Sequence, residues 1–238
     1  MIKQYGFLFI TAISFFSAKA QTVILEREED FVMDSTFSTI FEEEAEKKWI
    51  TPSVNGFGFP VTQSEAGGEI ENGNSIQIVL GSATMYKFNK YIAGGVNGTY
   101  NFYNYRLKQD AEKILPNPYA GNNKETLRLN CLQYGPVIRI NFTPDKSKKN
   151  IMLDLGADMV WVMGSNHLTW NENEDGSLIK VKTRKLAYTE TFQYLSYARI
   201  CYGAFALYGS YRFTNVFKEE YNYPELPNVN VGIAFLMK

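Results

Sequence analysis

The sequence predicts an all-β fold, an eight-stranded antiparallel up-and-down transmembrane β-barrel, and three observations lead to this prediction. Apolar and polar residues alternate with a period of two along most of the chain. After residue 20, no run of about eighteen apolar residues is present that would span a membrane as a helix. Aromatic residues make up 15% of the chain, yet the mean hydropathy is only −0.25. Strands with apolar outward and polar inward residues account for both values.

The clearest alternating segment is at the C-terminus. There Val231, Ile233 and Phe235 share one face of the predicted strand, and Asn230 and Gly232 share the other. Seven further segments repeat this pattern, the weakest of them at 75–88 and the first despite its prolines, which a strand end tolerates. The eight predicted strands are 49–62, 75–88, 91–106, 126–142, 150–163, 190–201, 204–213 and 228–238.

Interruptions of the alternation near Val79 and Cys131 predict β-bulges or misplaced strand ends. The connections between the predicted strands alternate in length. Bacterial outer-membrane barrels have short periplasmic turns and long extracellular loops, so this alternation predicts that both termini are periplasmic. The short connections are 89–90, 143–149 and 202–203, and the long ones are 63–74, 107–125, 164–189 and 216–227.

The N-terminus has the features of a cleaved secretory signal peptide over residues 1–20. Lys3 precedes a short apolar run, and Ala18-Lys19-Ala20 provides the small residues that signal peptidase requires. Residues 21–48 form an acidic periplasmic extension, with apolar residues at helical spacing that predict a short helix around 35–48. A loosely ordered leader is the alternative. Residues 49–238 are then the barrel.

Composition argues against several classes of function. A net charge of −1 offers no basic surface for a nucleic acid. The only histidine and the two cysteines, Cys131 and Cys201, lack the spacing of a metal site, and we expect the cysteines to be separate thiols. We therefore predict no cofactor, no metal and no catalytic residues.

The segments 204–213, Ala-Phe-Ala-Leu-Tyr-Gly-Ser-Tyr-Arg-Phe, and 228–238, Asn-Val-Asn-Val-Gly-Ile-Ala-Phe-Leu-Met-Lys, carry a family resemblance. They resemble the small eight-stranded outer-membrane barrels of Gram-negative bacteria, of the OmpA-transmembrane-domain and OmpX type, particularly the outer-membrane β-barrel families of Bacteroidetes. The resemblance covers residues 49–238. It implies a non-enzymatic protein of the cell envelope that contributes to envelope structure or to surface interaction through its loops. The implied partners are outer-membrane lipid, the barrel-assembly machinery and a surface or periplasmic protein.

Charged side chains are predicted to point into the barrel, where an eight-stranded lumen is just wide enough to be filled by side chains. Opposite charges in such a space should pair, because an unpaired buried charge is costly. A packed polar core is the simpler interpretation, and a path for protons or small solutes is the functional alternative. The predicted lumen charges are Arg139, Asp154, Asp158, Arg199 and Arg212, with Lys87 as a further candidate.

A projecting hairpin is predicted within the longest connection. Asp175-Gly176 is a turn dipeptide, and strand-like residues such as Trp170 and Ile179 flank it. The edge of such a hairpin can pair with another protein, which makes these four residues candidate contacts. The alternative is a long ordered loop.

Two further functions remain open from the sequence. One is a lipid A-modifying hydrolase or acyltransferase, in which His167 would be the base for a serine such as Ser165 or Ser210. We expect His167 instead to be an ordinary residue of a surface loop. Alternation alone also allows a secreted lipocalin-like barrel, with its apolar residues facing inward around a ligand.

Overall fold

A computed structural model describes residues 48–61, 64–116, 124–144, 150–172 and 176–237 of the chain. The predicted signal peptide and nearly all of the predicted acidic extension lie outside these ranges, as does Asp175. Within the described ranges, two short 3₁₀ helices, Asn72–Asn74 and Glu219–Tyr221, lie in long connections. The described residues contain no helix whose length and hydropathy would let it cross a bilayer.

Ten β-strands form one sheet, and eight of them make the wall of a closed antiparallel barrel. This confirms the predicted all-β, eight-stranded fold. The strands are β1 (Trp49–Ile50), β2 (Ser53–Pro60), β3 (Ile76–Lys87), β4 (Ile92–Leu107), β5 (Lys124–Asn141), β6 (Ile151–Glu172), β7 (Leu178–Arg184), β8 (Phe192–Tyr202), β9 (Phe205–Arg212) and β10 (Val229–Met237).

The barrel closes where β10 pairs with β2, with Met237 opposite Ser53 and Asn230 opposite Pro60. Each other wall strand pairs with its neighbours in the order β2, β3, β4, β5, β6, β8, β9, β10. The predicted first strand, 49–62, is interrupted at Thr51–Pro52, so β1 and β2 pair separately with β3. The prediction missed this break because alternation along the sequence does not show which residues pair with β3.

The apolar side of each wall strand faces outward. Leu132 on β5 and Leu155 on β6 are 41% and 43% exposed, whereas Gln133 and Asp154 beside them in sequence are buried. The lipocalin-like alternative, with the apolar side inward, is therefore wrong. Exposed aromatic residues ring both ends of this outward belt: Trp49, Phe88, Tyr91, Phe142, Tyr202 and Phe205 near the short turns, and Phe57, Phe59, Trp161, Phe192, Tyr194, Tyr211 and Phe213 near the long connections.

A β-bulge interrupts the pairing of β5 with β6. Asn130 pairs with Gly164 and Cys131 pairs with Val162, so Met163 is an extra residue on β6. The predicted bulge near Cys131 is confirmed. At Val79 the pairing is regular, and the predicted irregularity there is wrong: Val79 is an apolar residue of the inward face. Side chains of a strand alternate between its two faces, so one extra residue reverses the pattern. Before Met163 the even-numbered residues of β6 face inward, and after it the odd-numbered residues do.

The barrel interior contains two apolar clusters. One of them, near the short turns, comprises Ala83, Met85, Ala93 and Val137. The other brings Val54 and Val79 together with Cys201, Ala206, Tyr208, Ala234 and Leu236 from the last strands. Both cysteines are buried free thiols, as predicted.

A glycine on β6 makes room for an aromatic ring in the lumen. A Cβ atom at Gly156 would overlap Cζ of Tyr197, whereas a Cβ atom at Gly98 would meet nothing within 4 Å. The Tyr197 ring in turn lies under the Arg199 guanidinium, 4.7 Å away. Gly156 therefore sets the position of the Tyr197 ring and of the arginine above it.

We expect Gly156→Ala to destabilise the barrel by about 1–3 kcal/mol, because the added methyl group must displace Tyr197 in a packed interior. Gly98→Ala is the matched control and should have little effect. The thermal midpoint of each variant in detergent micelles, followed by circular dichroism, measures the difference. Equal midpoints for the two variants would contradict this account.

Candidate functional site

The centre of the lumen is a buried carboxylate between two arginines. Arg139 on β5 donates from Nε and Nη2 to the two oxygens of Asp154 on β6, at 2.6 and 2.8 Å. Arg199 on β8 lies on the other side, with its Nε 3.4 Å from Asp154 Oδ2. The register places these residues in one cross-strand row, since Asp154 is opposite both arginines.

The second predicted carboxylate, Asp158, lies two rows further along β6 and has a different partner. Asn97 on β4 donates from Nδ2 to Asp158 Oδ2 at 2.9 Å, across the lumen. Arg199 reaches the same amide, with Nη2 3.4 Å from Asn97 Oδ1. Asn97 therefore joins the two carboxylates through Arg199. We call Arg139, Asp154, Asp158, Arg199 and Asn97 the lumen network.

Uncharged polar side chains continue this network toward the long connections. The Gln77 amide donates to Asn101 Oδ1 at 2.8 Å, and the Gln133 amide donates to the Tyr103 hydroxyl at 2.8 Å. One cavity beside this network has a volume of about 30 Å³ and is lined by residues of the lumen network and by Tyr208. It has room for about two water molecules.

Arg212, the fifth predicted lumen charge, is also buried, but its partner is a loop residue. It donates from Nη2 to Glu225 Oε1 at 2.7 Å and to the Leu226 carbonyl at 3.0 Å. Glu225 also accepts from the Val216 backbone at 2.9 Å. Arg212 thus attaches the β9–β10 connection to the barrel wall. Sequence alternation predicted its inward direction but could not identify this partner, which is 13 residues away in a loop.

Long connections cover one end of the barrel with an apolar cluster. Leu115, Leu186, Val216 and Leu226 come from three different connections and are almost completely buried. They pack with inward residues of β4, β5, β6 and β8 and with Ile70 from a fourth connection. We call this cluster the loop-end core. Its side chains lie directly above the polar lumen.

His167 is buried on β6, so the prediction that it is a surface-loop residue is wrong. Its Nε2 lies 3.0 Å from Glu125 Oε2, and Lys113 Nζ lies 3.0 Å from the same oxygen. The side chains of Lys113 and Glu125 are each only 2% exposed. The bulge at Met163 explains the error, because it turns His167 to the interior of a strand that continues beyond its predicted end. These three residues attach the β4–β5 connection to the wall.

The residues considered for chemistry do not form a nucleophile–base pair in the described structure. The Ser165 hydroxyl accepts from the Leu186 backbone at 2.9 Å and from Thr189 at 3.1 Å, while His167 pairs with Glu125. Among the described residues, no three His, Cys, Asp or Glu side chains are grouped as metal ligands.

The predicted projecting hairpin corresponds to the end of β6 and to β7. Seven residue pairs join these strands, from Asn166–Arg184 to Glu172–Leu178, and all of β7 is exposed. Trp170 and Ile179 lie on opposite faces of this hairpin, and Gly176 in the turn has a φ of 78°. The ends of β4 and β5 extend the same sheet, with Lys124 opposite Trp170. We call these four strand ends the projecting sheet.

The fold defines a small eight-stranded antiparallel barrel with an apolar outer belt and a side-chain-filled lumen. Comparisons with protein-family models and with curated proteins give no match. Two crystal structures of Ail, the attachment invasion locus protein of Yersinia pestis, are similar to this chain at 13% and 14% identity; one is a complex with the heparin analogue sucrose octasulfate. They cover 78% of this chain and 94% and 93% of their own, with TM-scores of 0.31 and 0.29. The strand pairing of the chain itself defines its fold.

Asp154→Asn should destabilise the barrel by about 3–5 kcal/mol, because two buried arginines lose their common carboxylate. Asp110→Asn is the control, since Asp110 pairs with the exposed Lys108 in a connection and an exposed pair contributes only about 0–1 kcal/mol. Thermal midpoints in detergent micelles compare the variants. A loss for Asp154→Asn no larger than the control's would show that the lumen network does not stabilise the fold.

Glu225 should make stability depend on pH. Burial raises the pKa of this carboxyl above its ordinary value of 4.5, although Arg212 opposes the shift. The folded state then holds the proton more tightly than the unfolded chain, so the contribution of Glu225 is greatest at low pH and declines as pH rises above about 4.5. Between pH 4 and 7, Glu225→Gln should flatten this part of the thermal-midpoint profile. Glu220→Gln, an exposed control, should leave the profile unchanged; an unchanged profile for Glu225→Gln would contradict the assignment.

Proposed function

We propose that this protein is a non-enzymatic outer-membrane β-barrel that acts at the cell surface through its projecting sheet. The outward belt of apolar residues between two aromatic rings supports a position within a lipid bilayer, where barrels of this kind present such belts. The length of the strands also supports this position. From Ile92 to Phe102, β4 provides about the 9–11 residues that a tilted membrane strand requires.

Orientation and export belong to the same proposal. The short turns face the periplasm and the long connections face outward, which places the projecting sheet outside the cell. Residues 1–20 direct export, and residues 21–48 remain in the periplasm, where a periplasmic protein is their expected partner. Outer-membrane lipid surrounds the belt, and the barrel-assembly machinery inserts the chain.

The lumen favours a role other than transport. A charged network, two apolar clusters and the loop-end core occupy the interior, and the cavity beside the lumen network, with a volume of about 30 Å³, is far smaller than a nutrient. Opening a path would require breaking the Arg139–Asp154 pair or moving connections held by Arg212 and Lys113. Function is therefore better assigned to the outside of the molecule.

The observation that carries the proposal is the exposed hairpin. β7 pairs with β6 along one edge, and its seven residues are all exposed, including Leu178 at 70% and Val181 at 52%. An open strand edge is a template for pairing with another chain, and on β7 Ile179 and Val181 present apolar side chains on the face opposite the cations. Surface interaction accordingly accounts for this hairpin better than envelope structure does.

Ile179→Lys/Val181→Lys should reduce the attachment of cells several-fold, since the substitutions remove the apolar side chains of the β7 face opposite Lys180 and Lys182, which would pack against a partner. The assay compares a deletion strain carrying the wild type or each variant on protein-coated and glycan-coated surfaces. Ile114→Lys is the control, because Ile114 lies in another long connection and is 52% exposed, like Val181. Unchanged attachment, together with greater detergent sensitivity of the deletion strain, would instead support a purely structural role.

A further inference from the structure

The outer face of the projecting sheet concentrates positive charge. Register places four cross-strand rows on this face, each row two residues from the next. Six cations lie in the first three rows, although the whole chain has a net charge of −1, and the outermost row, Glu172–Leu178, carries one carboxylate. The first three rows are Asn104–Arg128–Asn166–Arg184, then Arg106–Thr126–Leu168–Lys182, then Lys124–Trp170–Lys180. We call Arg106, Lys124, Arg128, Lys180, Lys182 and Arg184 the basic face.

The positive charge of β7 lies on one side of the sheet. On β7, Lys180, Lys182 and Arg184 alternate with Ile179, Val181 and Thr183, which lie on the opposite face. Contact with water alone would not favour one side of the strand over the other for these cations. Neighbouring like charges on a sheet repel one another, so such a face is stabilised when anions bind to it.

Contacts within the basic face hold several of its groups in place. Trp170 lies between two lysines, with Lys124 Nζ 4.9 Å and Lys180 Nζ 5.3 Å from its ring centroid. Arg128 donates from Nε to Asn104 Oδ1 at 2.8 Å. Arg106 is partly neutralised by Glu71, whose Oε2 lies 3.0 Å from its Nε. The three cations of β7 are all exposed.

The basic face continues the apolar belt of the barrel. On β4, Phe102 faces outward and Asn104 and Arg106 follow on the same side; on β5, Leu132 is followed in the same way by Arg128. Two residues advance a strand by about 7 Å, so the first three rows lie about 7–20 Å beyond the last aromatic residue. On strands tilted by about 45°, this distance is a height of about 5–15 Å, so the first row lies in the headgroup layer, about 5–8 Å thick, and the other two rows lie beyond it by no more than about the length of a lysine or arginine side chain.

We propose that the basic face binds the phosphate groups of outer-leaflet lipid headgroups next to the barrel wall. This inference rests on the proposed membrane position and adds a ligand class to it. Arginine and lysine form charge-assisted hydrogen bonds to phosphate oxygens, and basic groups at an anionic membrane surface are attracted to it. Bound headgroups would neutralise β7 and fix the projecting sheet relative to the membrane.

The test uses the full mature protein folded in nonionic maltoside micelles. Native mass spectrometry counts bound lipid during titration with bisphosphorylated lipid A, with the same glycolipid lacking phosphates, and with heparin as a soluble polyanion. Lys180→Glu/Lys182→Glu is compared with Lys108→Glu/Lys218→Glu, which changes the charge equally in two other long connections. A heat-shifted mobility on semi-native gels confirms that each variant is folded.

We expect the wild type and the control to bind the bisphosphorylated lipid at least tenfold more tightly than Lys180→Glu/Lys182→Glu does, and salt to weaken this binding. Equal binding by the three proteins, or equal binding of the dephosphorylated lipid, would overturn the inference. Heparin binding that depends on Lys180 and Lys182, without lipid binding, would overturn it in favour of a soluble polyanion. Since the assay takes place in micelles, failure here leaves the membrane position to be judged by localisation alone.

Discussion

Closure of the sheet by β10 and β2 is the constraint on which the rest of the structure depends. Their register runs without a break from Asn230–Pro60 to Met237–Ser53, so the backbone hydrogen bonds of the wall are satisfied within the sheet. Closure also gives each wall strand an inside and an outside. Polar residues of the inward faces then meet in a narrow lumen, where Asp154 pairs with Arg139 and Arg199, and apolar residues form a continuous outward belt.

One extra residue, Met163, determines how the barrel continues into the projecting sheet. Below it the even-numbered residues of β6 face inward, as Asp154 and Asp158 do. Above it the odd-numbered residues face inward, so His167 reaches Glu125 while Trp170 joins the outer face. The bulge therefore supplies both the interior contacts that hold the loops and the outward surface that we assign to interaction.

The sequence predicted the barrel because period-two alternation reports directly on the two environments of a strand. It also predicted the directions of Arg139, Asp154 and Arg199, which follow from the same alternation. It could not predict that His167 is buried or that Arg212 pairs with Glu225, since those contacts depend on how the long connections fold over the barrel end. Phase breaks were an ambiguous signal: the break at Cys131 is a bulge, whereas the break at Val79 is an apolar residue in a regular inward face.

The outward apolar belt has a stable place only if lipid covers it, so cellular location tests the central claim most directly. The measurement is fractionation of the native cell envelope, followed by semi-native gel electrophoresis with and without boiling. The account predicts recovery in the outer membrane and a mobility that changes only after heating, because a closed barrel resists detergent. Recovery in the soluble periplasm or the medium would contradict it, since exposed residues such as Leu155 and Ile200 would then face water.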